Sequence, residues 1–210
     1  MKYNFIAIEG NIGSGKTSLA CMLAEEYNAQ LCLEKFEDNP FLPRFYSNPR
    51  RYAFPLELFF MAERFQQMSK LQAGRDLFKD LLISDYCFAK SLLFAGINLG
   101  GDEYVLYRKL FDIIQRNLPR PELIIYLHND VANLMIQIAK RGRPYERQIQ
   151  EAYLEKIQLA YFQYFRSISW AAVLIVHVAQ LNFTENKEHY RRIKDLLKHD
   201  YTPGIHYINP

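Results

Sequence analysis

The sequence predicts a doubly wound α/β fold, in which helices flank a five-stranded parallel sheet. Short apolar runs alternate with longer helical patterns along the chain, and the apolar runs lack the period-two alternation of half-exposed strands. Strands that are apolar on both faces are typical of parallel sheets covered by helices on both sides. The predicted strands are 5–8, 30–33, 81–84, 123–127 and 172–176. The predicted helices are 17–28, 54–73, 86–97, 103–117, 130–140, 150–168 and 185–198.

Length and composition favour one packed domain over residues 1–210. Half of the 210 residues are apolar and 15% are aromatic, and no repeat or linker divides the chain. The formal charge of +3 is spread along the sequence instead of forming a basic stripe, which argues against a nucleic-acid partner. No apolar run approaches the roughly 20 residues of a membrane helix, and no signal peptide precedes the first strand. We therefore expect a soluble cytoplasmic protein with no membrane partner.

A glycine-rich phosphate-binding motif follows the first predicted strand. Residues 10–17 fit the pattern G-x-x-x-x-G-K-[ST], and a predicted helix follows them, as the motif requires. Backbone N–H groups of such a loop and the helix N-terminus bind a polyphosphate. The lysine reaches the outer phosphates, and the threonine hydroxyl can ligate Mg²⁺. The predicted nucleotide-binding residues are Gly10, Asn11, Ile12, Gly13, Ser14, Gly15, Lys16 and Thr17.

A carboxylate that follows the second predicted strand is a candidate general base. Ligands of a doubly wound fold bind at the carboxyl ends of the strands, so the residues that end the strands share one edge of the sheet. Glu34 can therefore accept a proton from a hydroxyl that attacks the bound nucleotide. On spacing alone Glu37 and Asp38 compete for this role. The residues expected at this edge are Gly10, Glu34, Asp85 and Asn129.

A second carboxylate, Asp85, follows the third predicted strand. An aspartate in this place, beside a phosphate-binding loop, is a candidate Mg²⁺ ligand together with Thr17. Alternatively, or in addition, Asp85 caps a helix that begins at Tyr86.

A basic segment over residues 140–147 interrupts the helical pattern at a glycine and a proline. We expect an exposed loop there. Arginines on a loop near a nucleotide suit a lid that closes over the transferring phosphoryl group and neutralises its charge. The candidates are Arg141 and Arg143, and a solvated surface loop is the plainer alternative.

An aromatic, amphipathic segment lies between Tyr46 and Lys70. Within it, Glu57 and Arg64 are seven residues apart, so they share one face of the predicted helix. The spacing is also compatible with a core-facing helix that carries one surface ion pair.

These motifs together resemble the deoxyribonucleoside kinases related to the deoxycytidine, deoxyguanosine and deoxyadenosine kinases. The resemblance covers nearly the whole chain and is most specific in Glu9–Thr17, Lys140–Glu146 and Glu151–Ile157. It implies a P-loop kinase fold and transfer of the ATP γ-phosphoryl group to the 5′-hydroxyl of a deoxyribonucleoside, with Mg²⁺. It also implies a homodimer, for which the apolar helices 86–97 and 103–117 can supply the interface.

The resemblance assigns roles to residues on the acceptor side of the reaction. Glu34 aligns with the base that acts on the 5′-hydroxyl. Tyr46 and Glu146 align with the pair that holds the 3′-hydroxyl of the sugar. Arg64 aligns with an arginine near the 5′-hydroxyl and the base, and Phe94 with an aromatic residue that stacks on the base. On the donor side, the arginines of residues 140–147 align with lid arginines that contact the phosphates.

Three positions depart from the family pattern. Many members have an acid-Arg-Ser triplet after the third strand, where this chain has Ser84–Tyr86. Asp85 replaces the acid only if the strand end shifts by one residue, and the triplet arginine has no counterpart. Lys90, one turn into the next predicted helix, is a candidate substitute, or it serves the base or Glu57 instead. At a lid position that is often arginine this chain has Gln137.

The third departure concerns recognition of the base, because Glu57 stands where a glutamine usually reads it. An ionised glutamate only accepts hydrogen bonds, and guanine offers two adjacent donors, N1–H and the 2-amino group. This predicts a preference for purines, with deoxyguanosine first, unless Arg64 or Lys90 neutralises the carboxylate. Two other functions remain open: a thymidylate-type nucleoside monophosphate kinase, and a non-catalytic subunit with the same fold.

Overall fold

The computed structural model describes residues 2–35, 39–74 and 79–210. Its centre is a parallel sheet in the strand order β2-β3-β1-β4-β5-β6. The described strands are β1 Phe5–Gly10, β2 Gln30–Cys32, β3 Leu82–Ser84, β4 Leu123–His128, β5 Ala172–His177 and β6 Gly204–Ile208. The α/β prediction is confirmed, but the predicted strand number of five is wrong by one. The sequence of β6 gives no apolar run, because this edge strand is only partly buried.

The helices surround the sheet in the order that the sequence predicts. They are α1 Lys16–Glu26, α2 Leu42–Ser47, α3 Pro49–Ala73, α4 Lys90–Asn98, α5 Gly101–Ile114, α6 Val131–Arg141, α7 Glu151–Arg166 and α8 Lys187–Asp195. Short 3₁₀ helices cover Gln115–Asn117, Pro144–Gln148 and Leu196–Lys198. None of the helices in the described part of the chain is long and apolar enough to cross a membrane.

The prediction that Asp85 caps a helix starting at Tyr86 is wrong. Helix α4 begins only at Lys90, with Ala89 at its N-cap. The segment before it is tied to the sheet instead, since the backbone N–H of Cys87 donates to the Glu9 carboxylate (2.7 Å). The Asp85 side chain does not cap α4 and instead accepts a hydrogen bond from Thr17 next to the phosphate-binding loop.

Both faces of the central strands are buried, as expected for a parallel sheet between helix layers. Along β1, Ile6 and Ile8 pack towards α1 and α8, whereas Phe5 and Ala7 pack towards α3 and α5. Their side chains are 6% exposed or less, so successive residues point into two separate cores. This burial fixes the strand positions, and with them the edge of the sheet where β1, β2 and β3 end.

Candidate active site

The loop between β1 and α1 adopts a conformation that depends on its glycines. Gly13 (φ 84°) and Gly15 (φ 87°) lie in the left-handed region, which disfavours residues with a side chain. A Cβ atom at Gly15 would also lie 2.8 Å from the ring of Phe183. The buried side chain of Asn11 anchors the loop, because its Nδ2 atom donates to the carbonyl oxygen of Leu154 in α7 (2.8 Å). The loop is thus preformed at the N-terminus of α1, where an anion is stabilised.

Lys16 is the first residue of α1, and its Nζ atom donates to the carbonyl oxygen of Asn11 (3.2 Å). Burial, together with repulsion from the Lys90 ammonium, lowers the pKa of Lys16 to about 8. The side chain is therefore mostly charged at neutral pH, but the nearby carboxylates only partly neutralise its ammonium group. An incoming polyphosphate supplies that charge.

Thr17 and Asp85 form a pair of oxygen donors beside the loop. The Thr17 hydroxyl donates to Oδ2 of Asp85 (2.5 Å), and the backbone N–H of Glu34 donates to Oδ1 of Asp85 (2.7 Å). Asp85 directly follows the last residue of β3, one position later than the family triplet would place the acid. Oxygen donors from one or two side chains suit Mg²⁺, which keeps several waters and takes further ligands from phosphates. Thr17 and Asp85 thus supply oxygen atoms of the kind that Mg²⁺ binds.

Glu34 is held by two cations. Its Oε1 atom accepts from Nε (2.8 Å) and Nη2 (2.5 Å) of Arg64, and its Oε2 atom accepts from Nζ of Lys90 (2.5 Å). Burial would raise the pKa of Glu34, but the charges of Lys90 and Arg64 outweigh it and lower this pKa to about 2. Glu34 is therefore an ionised carboxylate at neutral pH. The competing candidates, Glu37 and Asp38, lie outside the described residues.

The basic segment folds into the end of α6, the turn at Gly142 and the 3₁₀ helix Pro144–Gln148. Most of its residues are exposed, as the sequence predicts, but Glu146 is buried. Arg141 donates from Nε (3.0 Å) and Nη2 (2.6 Å) to the two carboxylate oxygens of Glu146, and Nη1 of Arg143 lies 3.4 Å from the same group. Glu146 is 5% exposed, whereas the two arginine side chains are 35% and 28% exposed. The arginines therefore reach from a buried carboxylate towards the cavity.

Glu57 lies at the inner end of the site, and its carboxyl group forms no ion pair within the described residues. Glu57 is 2% exposed, and its Oε1 atom accepts from Nδ2 of Asn98 (2.6 Å). Its Oε2 atom is buried without a hydrogen bond. Burial raises the pKa of Glu57 to about 7. Both the ionised and the neutral form of Glu57 are therefore accessible near neutral pH, and Arg64 and Lys90 do not form ion pairs with Glu57, because both bind Glu34.

These groups surround one cavity of roughly 1290 Å³. Asp85 contacts both Thr17 of the loop and the backbone of Glu34, and Arg64 joins Glu34 to the helix that carries Glu57, so the cavity extends from the phosphate-binding loop past Glu34 to Glu57. The predicted site residues that line it are Ile12, Gly13, Gly15, Lys16, Thr17, Glu34, Tyr46, Glu57, Arg64, Asp85, Lys90, Phe94, Arg141, Arg143 and Glu146, together with Gln137. Three predicted nucleotide-binding residues are absent from the lining, and so is the strand-end residue Asn129. These loop residues are Gly10, Asn11 and Ser14, all of which are buried.

Asn98 and Tyr153 line the cavity but were not predicted from the sequence. The Tyr153 hydroxyl donates to Oδ1 of Asn98 (3.2 Å), which fixes the orientation of the amide that binds Glu57. A signal for Asn98 exists in the sequence, because Lys90, Phe94 and Asn98 follow each other at intervals of four residues on one face of α4. Tyr153 has no comparable signal, since its role depends on how α7 packs against α4.

Comparison with known proteins identifies this arrangement. A family model described as deoxynucleoside kinase matches residues 6–200. The chain is similar to the deoxyguanosine kinase of Bacillus subtilis (strain 168), with 35% identity over 198 residues that cover 90% of this chain and 93% of that protein. It is also similar to the deoxyadenosine kinase of Dictyostelium discoideum, with 31% identity over 209 residues that cover 98% and 83% of the two chains.

A solved structure has the same fold. The deoxyadenosine kinase from M. mycoides with bound dATP superposes with a TM-score of 0.78, at 20% identity, over 93% of this chain and all of that one. The phosphate-binding loop, the ionised Glu34 beside it and the match over residues 6–200 lead to one conclusion. The chain belongs to the deoxynucleoside kinase family and is an ATP-dependent phosphotransferase.

Proposed function

We propose that this kinase phosphorylates the 5′-hydroxyl of a purine deoxynucleoside, with Glu34 as the general base. The observation that carries the proposal is the order of groups along one cavity: the phosphate-binding loop, the ionised Glu34 and the buried Glu57. A phosphoryl donor at the loop and a nucleoside that extends towards Glu57 bring the 5′-hydroxyl next to Glu34. The relatives named above support a purine, since one is a deoxyguanosine kinase and the other a deoxyadenosine kinase.

Each residue has a defined part in phosphoryl transfer. Glu34 orients the 5′-hydroxyl and accepts its proton as the oxygen attacks. Lys16 and the arginines of the lid stabilise the charge on the equatorial oxygens of the transferring group, which is where most catalysis of this reaction arises. Thr17 and Asp85 would hold the Mg²⁺ ion, which would supply positive charge to the phosphate oxygens of ATP.

The sugar and base have their own contacts. Tyr46 and Glu146 line the middle of the cavity and hold the 3′-hydroxyl, while Phe94 offers an aromatic face to the base. Arg141 and Arg143 now bind Glu146, so they exchange part of this contact for the phosphates when both substrates are present.

The two other functions that the sequence left open are less well supported. A monophosphate acceptor needs unpaired cations at its own phosphate, but the two cations nearest to Glu34 are already bound to this carboxylate. A non-catalytic subunit has no need for Lys16, Thr17, Glu34 and Asp85 in one cavity, and the relatives named above are kinases.

A substrate panel tests the proposal. We expect kcat/KM to be highest for deoxyguanosine or deoxyadenosine among the four natural deoxynucleosides, with ribonucleosides and deoxynucleoside monophosphates as poorer acceptors. ATP consumption should require Mg²⁺. A panel led by a pyrimidine, or by a monophosphate, would overturn the proposed acceptor.

We further propose a homodimer, as the family resemblance implies. A second groove lies between α4, α5 and α7, and Leu159 on its wall is 59% exposed while Trp170 is 39% exposed. Apolar side chains of this size are seldom left in water when they share a groove. Light scattering should give twice the chain mass, and Leu159→Glu should give the mass of one chain without unfolding it. A monomeric wild-type protein would contradict this assembly.

A further inference from the structure

The carboxyl group of Glu57 lines the cavity and has one oxygen atom that a ligand can bind. Its Oε1 atom is occupied by the Asn98 amide, and its Oε2 atom is buried with no partner in the described structure. Leaving such an atom unpaired is unfavourable, so binding of a group that pairs with it is favoured. The aromatic side chains of Phe60 and Phe94 line the cavity near this carboxyl group, which suits a flat heterocycle.

Asn98 also determines which oxygen of Glu57 carries the hydrogen when the carboxyl group is protonated. The Tyr153 hydroxyl binds Oδ1 of Asn98, so the amide presents its N–H group to Oε1 of Glu57. When Glu57 is protonated, Oε1 is therefore the carbonyl oxygen and Oε2 carries the hydrogen. The neutral acid then offers one acceptor and one donor, whereas the ionised form offers two acceptors.

Glu57 can adopt both forms near neutral pH because burial opposes its charge and little counter-charge is available. The groups that face it are Arg64 on its own helix α3, Glu34 after β2, Lys90 and Asn98 from α4, Tyr107 from α5 and Tyr153 from α7. Arg64 and Lys90 are bound to Glu34, whose negative charge offsets theirs at Glu57. The resulting pKa of about 7 lies within the range where enzymes work.

The two purines require opposite forms of this carboxyl group. Guanine presents two adjacent donors, N1–H and its 2-amino group, which match two carboxylate oxygens. Adenine presents a donor, its 6-amino group, next to an acceptor, N1. An ionised carboxylate would place a lone pair against N1 of adenine, whereas the neutral acid donates to it and accepts from the amino group.

We propose that Glu57 recognises both purines by changing its protonation state, binding guanine as the carboxylate and adenine as the neutral acid. This inference rests on the proposed function, because it requires a deoxynucleoside base at Glu57. One side chain thus recognises two different bases, and the preference between deoxyguanosine and deoxyadenosine depends on pH.

The ratio of the two specificity constants gives a direct measure. The quantity kcat/KM reports ionisations of the free enzyme, and steps common to both substrates cancel in the ratio. The ratio of ionised to neutral Glu57 rises tenfold per pH unit. We therefore expect kcat/KM for deoxyguanosine relative to deoxyadenosine to rise by up to about tenfold per unit between about pH 6 and about pH 8.

The experiment compares the wild-type kinase, Glu57→Gln and the matched control Glu103→Gln on the exposed side of α5. A glutamine does not titrate, so Glu57→Gln should have a constant ratio and favour deoxyadenosine, while Glu103→Gln should behave like wild type. A change of more than about threefold across this range, absent in Glu57→Gln, supports the proposal. A smaller change, or one that is equal in Glu57→Gln, overturns it.

An analogue keeps the test valid if Glu57→Gln does not fold. The 1-deaza form of deoxyadenosine lacks the N1 acceptor, so its kcat/KM with the wild-type enzyme should not fall with pH as that of deoxyadenosine does. Equal pH dependence of the two would refute the proposal. If neither purine deoxynucleoside is phosphorylated, the proposed function fails. If both are phosphorylated at a ratio that does not change with pH, only the role of Glu57 fails.

Discussion

The Nζ atom of Lys90 lies 2.5 Å from Oε2 of Glu34, so α4 supplies a cation directly to the candidate base. Arg64 holds the other carboxylate oxygen from α3. The family triplet that usually places an arginine after the third strand is absent from this chain, and Lys90 lies in the cavity beside Glu34. The two cations keep Glu34 ionised and orient it, which is the state that a general base requires.

Replacement of Lys90 by methionine should lower kcat by about 10²-fold, because an oriented cation beside the transferring group is lost. The pKa of Glu34 should also rise, so the acidic limb of the kcat/KM profile should move to higher pH. Lys90→Arg should restore both readouts in part. Lys109→Met on the exposed side of α5 is the matched control. An acidic limb that stays in place in Lys90→Met would exclude Lys90 as a partner of the base.

Glu34→Gln should lower kcat by about 10²- to 10⁴-fold with little change in nucleoside binding, because a glutamine keeps the size but cannot take the proton. Steady-state kinetics and direct nucleoside titration separate the two effects. Glu37→Gln and Asp38→Asn, at the carboxylates that compete with Glu34 on sequence spacing, should stay near wild type. Near-normal turnover in Glu34→Gln would remove Glu34 from the mechanism.

Local patterns in the sequence predict one half of this site well. The phosphate-binding loop depends on neighbouring residues, so its sequence pattern is enough to place Lys16 and Thr17 at the start of the helix that follows the loop after β1. The predicted number of strands is one too low, because β6 is a partly buried edge strand and has no apolar run to mark it. The predicted start of α4 is wrong because the segment before it is held by the hydrogen bond from Cys87 to Glu9, and these residues are far apart in the chain.

The ionisation of the acceptor-side residues could not be predicted from spacing. The low pKa of Glu34 depends on Lys90 and Arg64, which come from two different helices. The raised pKa of Glu57 depends on burial, and that burial arises from the packing of four helices around one cavity. Sequence spacing shows that residues share a helical face, but it does not show which of several carboxylates a cation binds.

Asp85→Asn should raise the Mg²⁺ concentration for half-maximal activity by about 10- to 100-fold, since an amide oxygen is a weaker ligand than a carboxylate oxygen. The fold should survive, because the oxygen of the asparagine can still accept from the backbone N–H of Glu34, while its NH₂ group can donate to the Thr17 hydroxyl. Activity measured over a Mg²⁺ titration at fixed ATP checks this. Asp102→Asn, at the exposed start of α5, serves as the control. An unchanged Mg²⁺ dependence in Asp85→Asn would place the ion elsewhere.

Glu146→Gln should reduce discrimination between deoxynucleosides and 2′,3′-dideoxynucleosides by about tenfold, because the contact of the 3′-hydroxyl with a charged acceptor becomes a neutral one. The effect should appear in the KM of the nucleoside more than in the KM of ATP. Glu151→Gln, at the start of α7, is a matched control outside the cavity lining. Equal discrimination in Glu146→Gln and wild type would show that another group holds the 3′-hydroxyl.

Glu57→Gln should stabilise the protein increasingly as the pH rises. Burial raises the pKa of Glu57 from 4.5 to about 7 in the folded state, so the folded chain prefers the protonated form. The stability that this preference gives is complete below about pH 4.5 and is lost as the pH rises through about 7. A shift of this size corresponds to about 3 kcal/mol, the largest gain expected of the glutamine variant at high pH.

Thermal unfolding monitored by circular dichroism between about pH 5 and about pH 8.5 measures this effect without any substrate. The difference in Tm between Glu57→Gln and wild type should grow as the pH rises from about 5 and should level off above about 7, the pKa of Glu57 in the folded protein. Glu103→Gln should follow wild type throughout, because its carboxyl group is exposed to solvent. A Tm difference that is independent of pH would mean that folding does not raise the pKa of Glu57, which would then be ionised throughout this range and could not serve two purines through two protonation states.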